Sequence, residues 1–261
     1  METKKLNKQT HMFSKPNKVL LLFILLSAVP AFSQTAEEII KKSEDKMRGS
    51  TLHGTMSIKT VRPTWSREMV INMWLKGNDY AMILVKSPEK DKGITYLKRK
   101  KEVWNWMPVL EKVIKLPPSM MSQSWMGTDF SNDYLVKQSS LETDFDSKLS
   151  KDSVIDSRPC WKVVLTPKEN AAVVWGKVVL YIDKTDYLQL RNEYYDEDGV
   201  LINLIHAYNI QKMGGRLIPT VFELIPSDKP GNKTVITYQS LEFDQPLEES
   251  FFTTNNMKQL K

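Results

Sequence analysis

Histidine, cysteine and paired carboxylates carry most enzyme and metal chemistry, and this sequence arranges none of them in a recognisable site. Outside the first 33 residues the histidines are His53 and His206, far apart in the chain and without an HxxxH or CxxC partner. That is too few ligands for a histidine metal site of the usual kind. His206 shares a strand face with Val200, Ile202, Leu204, Tyr208 and Ile210, which reads as a satisfied core or cavity-wall histidine. The single cysteine, Cys160, can form no internal disulfide and reads as a small buried hydrophobe beside Trp161. Asp196-Glu197-Asp198-Gly199 starts like a calcium loop but lacks the remaining ligands, so a hairpin turn explains it. No GxSxG elbow, Walker loop or GxGxxG fingerprint is present. Glu142, Asp144 and Asp146 fit a solvated edge; only carboxylates brought together from distant strands would make a secreted hydrolase. No catalytic residue, metal ion or cofactor is expected.

The chemistry that is present is non-covalent. Eleven methionines remain after Met1 and Met12, and they fall on strand faces and in one Pro-led insertion. Methionine is flexible and polarisable, so a surface lined with it repacks around ligands of variable shape, which suits acyl chains. The insertion, Lys115 to Phe130 (KLPPSMMSQSWMGTDF), leaves regular structure at Pro117-Pro118 and then carries Met120, Met121, Trp125, Met126 and Phe130. Left in water, such a patch is an aggregation liability. The expected partner is the open mouth of a sheet, with Met69, Ile71 and Met73 as cavity wall and Trp104, Trp106 and Met107 as rim. Gly127 offers a hinge, and the whole reads as a lid over a hydrophobic cavity.

Those side chains need a scaffold. Residues 1–33 read as an export signal: Lys15 and Lys18 close a basic stretch, Val19 to Val29 is an apolar core, and Ala31-Phe32-Ser33 precedes a cut before Gln34. Kept instead as an anchor, that core is short of the roughly 20 residues a membrane span needs. No cysteine follows it, which argues against a lipid-modified amino terminus. The segment holds five lysines and one glutamate, so removing it from 37 basic and 31 acidic residues leaves 32 against 30, a net of +2. A nucleic-acid surface is not supported. The run Lys98-Arg99-Lys100-Lys101 reads as a solvated hairpin turn.

Residues 34–261 read as one domain. Thr35 and Glu38 form a capping box, and Ile39, Ile40, Ser43 and Met47 trace one face of a helix ending at Gly49. The period then changes to two: Leu52, Gly54, Met56 and Ile58 share one face, and Met69, Ile71, Met73 and Leu75 share the next. Short strands continue at intervals of about ten residues, with hairpins signalled at Asp198-Gly199 and Gly214-Gly215. Between Pro117 and about Lys137 the pattern changes to one or two short helical turns, with Asp129 or Ser131 as a cap. The expected fold is mainly β (α+β), an incomplete antiparallel barrel of about eleven or twelve strands with an amino-terminal helix and a helical lid.

Two stretches then resemble a known family. Val103 to Leu135, VWNWMPVLEKVIKLPPSMMSQSWMGTDFSNDYL, is similar to the signature of the LolA-like outer-membrane lipoprotein-sorting proteins, and Met73 to Trp106 fits what usually precedes it. Tyr134 stands where an acidic residue is usual after Asn-Asp. The resemblance implies an incomplete barrel closed by helices over a hydrophobic cavity. It implies a periplasmic carrier or binder of lipid or acylated lipoprotein, working without chemistry between an inner-membrane transporter donor and an outer-membrane acceptor. The motif assigns the carrier's lid-locking arginine to no position of this chain, Arg62 and Arg67 included. A second reading keeps the fold and makes the apolar insertion a docking surface, for envelope sensing or for a lipid-exporting pump.

Overall fold

The computed structural model describes residues 34–132, 141–169, 171, 173 and 175–260, with the side chains of residues 142 and 143 left aside. The expected export signal and residues 133–137 of the insertion lie outside them. Gln34–Lys261 forms one compact unit.

Helix α1 (Ala36–Arg48) begins on the expected capping box: the Glu38 amide donates to Thr35 Oγ1 and the Thr35 amide to the Glu38 carboxylate, each at 3.2 Å. It buries Ile39, Ile40 and Ser43 and stops at Gly49, whose φ of 64° suits the helix end. From there the chain is almost entirely strand. β1 (Thr51–Val61), β2 (Ser66–Lys76), β3 (Tyr80–Ser87), β4 (Thr95–Arg99), β5 (Glu102–Met107) and β6 (Lys112–Lys115) form an antiparallel meander. After the insertion and the short helix α2 (Leu141–Asp144) come β7 (Phe145–Leu149), β8 (Ser153–Ile155), β9 (Arg158–Pro167), β10 (Lys177–Asp183) and β11 (Gln189–Tyr195). β12 (Leu201–Met213), β13 (Arg216–Pro226), β14 (Lys233–Phe243) and the terminal helix α3 (Thr254–Gln259) complete the fold.

Among the described residues all fourteen strands belong to one sheet, ordered β6-β5-β4-β3-β2-β1-β14-β13-β12-β11-β10-β9-β7, with β8 added to β9. β6 and β7 are its two ends and do not pair with each other, so the barrel is incomplete. The strand count exceeds the expected eleven or twelve; β8, three residues long, carries too few alternations to be read from sequence. Both hairpin signals hold: Met213 pairs with Arg216 around Gly214-Gly215, and residues 196–200 connect β11 to β12, where Tyr195 pairs with Leu201.

Side chains alternate between two faces, and each face is covered differently. On one, α1 packs Ile39 and Ile40 on Val163, Leu165, Val178 and Leu180. On the same face, the insertion packs Trp125 into a cluster with Met69, Ile71, Ile83 and Tyr96. On the other face, the terminal segment lays Phe252 and Met257 over Met82 and Leu97.

Candidate functional site: a lidded cavity on one face of the sheet

A cavity of about 320 Å³ lies between α1, the insertion and the sheet face they cover, near the low end of the ~300–1,000 Å³ typical of ligand pockets. Its walls are Leu52 and Met56 from β1, Met73 and Leu75 from β2, Ile83 from β3, and Ile205 and Phe222 from the far half of the sheet. The β1–β2 register explains the first four: Leu52 faces Leu75 and Met56 faces Ile71, so their side chains form one layer. Phe130 closes the cavity from the insertion side, packed with Ile205 and Leu224.

Each residue of the Trp-Met-Gly-Thr-Asp-Phe stretch has a separate task. Trp125 is 3% exposed and meets the Tyr96 ring edge-on at 5.7 Å. Met126 (φ 52°) and Gly127 (φ 75°) make a left-handed corner that reverses the chain, a conformation glycine adopts without strain. The Thr128 hydroxyl donates to the Trp125 carbonyl at 2.7 Å and accepts from the Phe130 amide at 3.2 Å. Ser124 pairs with Ser131, and the Asn132 side chain donates to the Met120 carbonyl at 2.9 Å. The loop is thus braced internally.

Beside the packing of Trp125 and Phe130, polar contacts hold the loop to the sheet. Arg62, at the end of β1, donates to the Asp129 carboxylate at 3.0 Å and to the Gly127 carbonyl at 3.2 Å. Thr234 donates to the same carboxylate at 2.7 Å and accepts from the Asp129 amide at 3.0 Å. Arg67 bridges Asp91 at 2.9 Å and the Met126 carbonyl at 3.5 Å. Both partners of the Arg62–Asp129 pair are largely shielded, with side chains 14% and 5% exposed. Asp129, a cap candidate on sequence, instead anchors the loop, and the helical turns are two 3-10 turns, Pro118–Met120 and Trp125–Gly127.

The expected site residues therefore separate. Met69 and Ile71, fully buried, and Met73 belong to the core cluster that Trp125 joins, with Met120, Met121 and Met126 half-buried against it. Of the expected wall and lid, Met73 and Phe130 line the cavity itself. Trp104 and Trp106 do not come to it: they pack on the opposite face with Met82, Leu97, Phe252 and Met257. In β5 they alternate with Val103, which points into the cavity, and Met107 shares the parity of Val103. His206 also lies away from the cavity, half-exposed and 2.7 Å from Asp156. Cys160 is fully buried and free, and burial pushes its thiol up to about 11.

Two cavity residues escape a sequence reading. Lys98, grouped there with a solvated basic turn, is 7% exposed and lines the cavity. The turn itself is Lys100-Lys101, between the paired Arg99 and Glu102. The available signal was parity, since Lys98 lies two residues from the buried Tyr96. Arg48, in the last turn of α1, lines the same end. Burial, and then the nearby Arg48 guanidinium, lowers the Lys98 ammonium to about 8; burial raises the Tyr96 phenol to about 12. Among the described residues no group of three His, Cys, Asp or Glu could hold a metal ion, and no helix is long and apolar enough to cross a membrane.

A sheet wrapped around an apolar cavity, with a helix and a braced loop as its cover, is a fold that this chain shares with several solved structures. The chain matches a DUF1329 family protein from Desulfovibrio piger with a TM-score of 0.76 and 19% identity, over 85% of this chain and 97% of that one. A structure described as an outer membrane lipoprotein-sorting protein domain, from Vibrio parahaemolyticus, matches with a TM-score of 0.74, 19% identity and coverage of 85% and 98%. A LolA superfamily protein from Nitrosomonas europaea matches with a TM-score of 0.72, 20% identity and coverage of 85% and 99%. At these identities the likeness is one of fold. A family model with the description "Uncharacterized protein" matches residues 77–259, more than half of the chain, and the chain belongs to that family. No curated protein matches the sequence.

Proposed function

We propose that this protein is a non-enzymatic binder or carrier of acyl chains, presented by lipid or by acylated lipoprotein. Residues 1–33 would act as the export signal to the periplasm, cut between Ser33 and Gln34, and 34–261 as one binding domain. The observation that carries this reading is a cavity walled by flexible apolar side chains whose cover combines the buried Trp125 and Phe130 with polar fastenings at its tip. Polar fastenings can be exchanged for water, so the loop can lift without leaving charges stranded. Each buried methylene contributes about 0.8 kcal/mol, so about six of them would offset several such contacts. Met56 and Met73 would let the wall adapt to chains of different shape. Exchange with a membrane donor and a membrane acceptor is the role this architecture suits. Burial of Trp125 and Phe130 argues against the insertion as a standing docking surface for another protein.

Mass spectrometry of lipids extracted from gently purified protein tests the reading, together with binding of a fluorescent fatty acid. Acyl lipids should co-purify, and Ile205→Trp, which fills the cavity, should abolish binding while leaving the circular dichroism spectrum intact. A lipid-free protein that ignores the fatty acid would rule it out.

A further inference from the structure

Large apolar side chains stand in water at one end of the sheet. Alternate turns of an antiparallel meander share an end, which puts turns 62–65, 88–94 and 108–111 together. Trp65 on the first is 52% exposed, and Val109 and Leu110 on the third are 87% and 54% exposed. Turn chemistry asks for none of them, since glycine, proline, asparagine, aspartate and serine are the usual turn residues. Val109 and Leu110 also have a firm support: a 3-10 turn that opens at Pro108, which lies against Gly93, and ends at Glu111 with φ 48°.

The same end carries the fastenings of the insertion. The Arg62 amide donates to the Trp65 carbonyl at 2.9 Å, and its guanidinium lies 5.8 Å from the Trp65 ring while holding Asp129 and Gly127. Arg67 ties Asp91 of turn 88–94 to the Met126 carbonyl.

The form of this surface selects its partner. Three side chains on two separate turns make no continuous patch of the roughly 1,000 Å² that a specific protein interface buries. Projecting apolar tips with a tryptophan among them suit the head-group layer of a bilayer, where tryptophan is enriched and each tip gains by leaving water. Charge points to a neutral lipid surface: Glu89, Asp91 and Glu111 stand against Lys90, Lys92 and Lys112, which leaves no excess for anionic lipid to attract. Val200 is exposed at this end too, but on the far half of the sheet beside Asp196, Glu197 and Asp198, which keep that half out of the lipid.

We propose that this end docks on a zwitterionic phospholipid bilayer, with Val109, Leu110 and Trp65 inserted at the head-group level and the Arg62–Asp129 fastening brought to the lipid surface. The docking adds a partner surface to the acyl-binding reading and is measured without cargo, so either can fail alone.

The test uses residues 34–261, the compact unit, so that the apolar stretch Val19 to Val29 contributes nothing. Cys160 is fully buried, so Val109→Cys takes an environment-sensitive NBD label at position 109, and Val154→Cys takes one near the opposite end as control. With phosphatidylcholine vesicles the label at 109 should brighten and shift to the blue, equally at low and high salt, while the label at 154 should not respond. Leu110→Asp in the protein labelled at 109 should weaken vesicle binding at least about tenfold, and Trp65→Ser serves in its place should Leu110→Asp fold poorly. No response at 109, an equal response at 154, a response that needs anionic lipid or vanishes in high salt, or affinity that survives both substitutions would overturn the docking. Fatty-acid binding that persists in that event would leave the acyl-binding reading standing and point to a protein partner at this end.

Discussion

The two faces of one sheet meet the same problem and solve it in opposite ways. Strands β3 to β5 send Ile83, Tyr96 and Val103 one way and Met82, Leu97, Trp104 and Trp106 the other. The second set is sealed by the chain's own end: Phe252 and Met257 are fully buried over it, Lys76 donates to the Leu247 carbonyl at 2.7 Å, and Tyr80 donates to Glu249 at 2.8 Å. The first set is covered by a helix and a braced loop that leave a cavity between them. Apolar surface alone therefore does not mark a binding site. The difference lies in whether the cover fills the space beneath it, and in how that cover is fastened.

The sealed face should carry stability and no binding. Phe252→Ala removes a fully buried aromatic and should cost about 3–5 kcal/mol in chemical denaturation, while fatty-acid affinity of the folded fraction stays at the wild-type value. Loss of binding in the folded fraction would break the comparison. On the open face, Arg62→Met strands the Asp129 carboxylate and should cost roughly 3 kcal/mol, since both partners are shielded. Its hydrogen-exchange signature should be confined to residues 117–132 and their contacts; exchange spread evenly over the sheet would show that the loop is core and not lid.

Lys98 gives a change of opposite sign. Held near 8 against an ordinary 10.5, it binds fewer protons than the unfolded chain between those values. The wild-type protein should thus gain stability as pH rises from about 8 to about 10.5, with the penalty fully present below about 8. Lys98→Met should stabilise the ligand-free protein at pH 7 by on the order of 1–3 kcal/mol and remove that rise. Melting temperatures across pH 7 to pH 10.5 check both parts. The smallest effect belongs to Trp106→Leu: half-buried under the terminal segment, it should cost about 1–2 kcal/mol and leave the affinity for oleate unaltered.

Much of the scaffold was legible because its signals are local. Period-two runs gave the cavity-side faces of β1 and β2, the capping box gave the start of α1, and two glycines gave the β12–β13 turn. That residues 117–132 pack back on the sheet was legible because prolines followed by clustered apolar residues demand a partner. What failed is what alternation cannot supply. It tells which residues share a face but not which face is covered by what, so Trp104 and Trp106 could not be sent to the terminal segment without knowing where residues 244–260 run. Adjacency misled twice more: Lys98 was read with its exposed basic neighbours, and Asp129 as a cap, because their partners Asn78 and Arg62 are distant in sequence.

The most direct test of the central claim is photo-crosslinking with a fatty acid that carries a diazirine in mid-chain, followed by peptide mass spectrometry. The account predicts adducts on peptides containing Met73, Ile205 or Phe222, suppressed by excess oleate. Adducts on Trp104, Trp106 or the 244–260 segment, or labelling that oleate does not suppress, would contradict it.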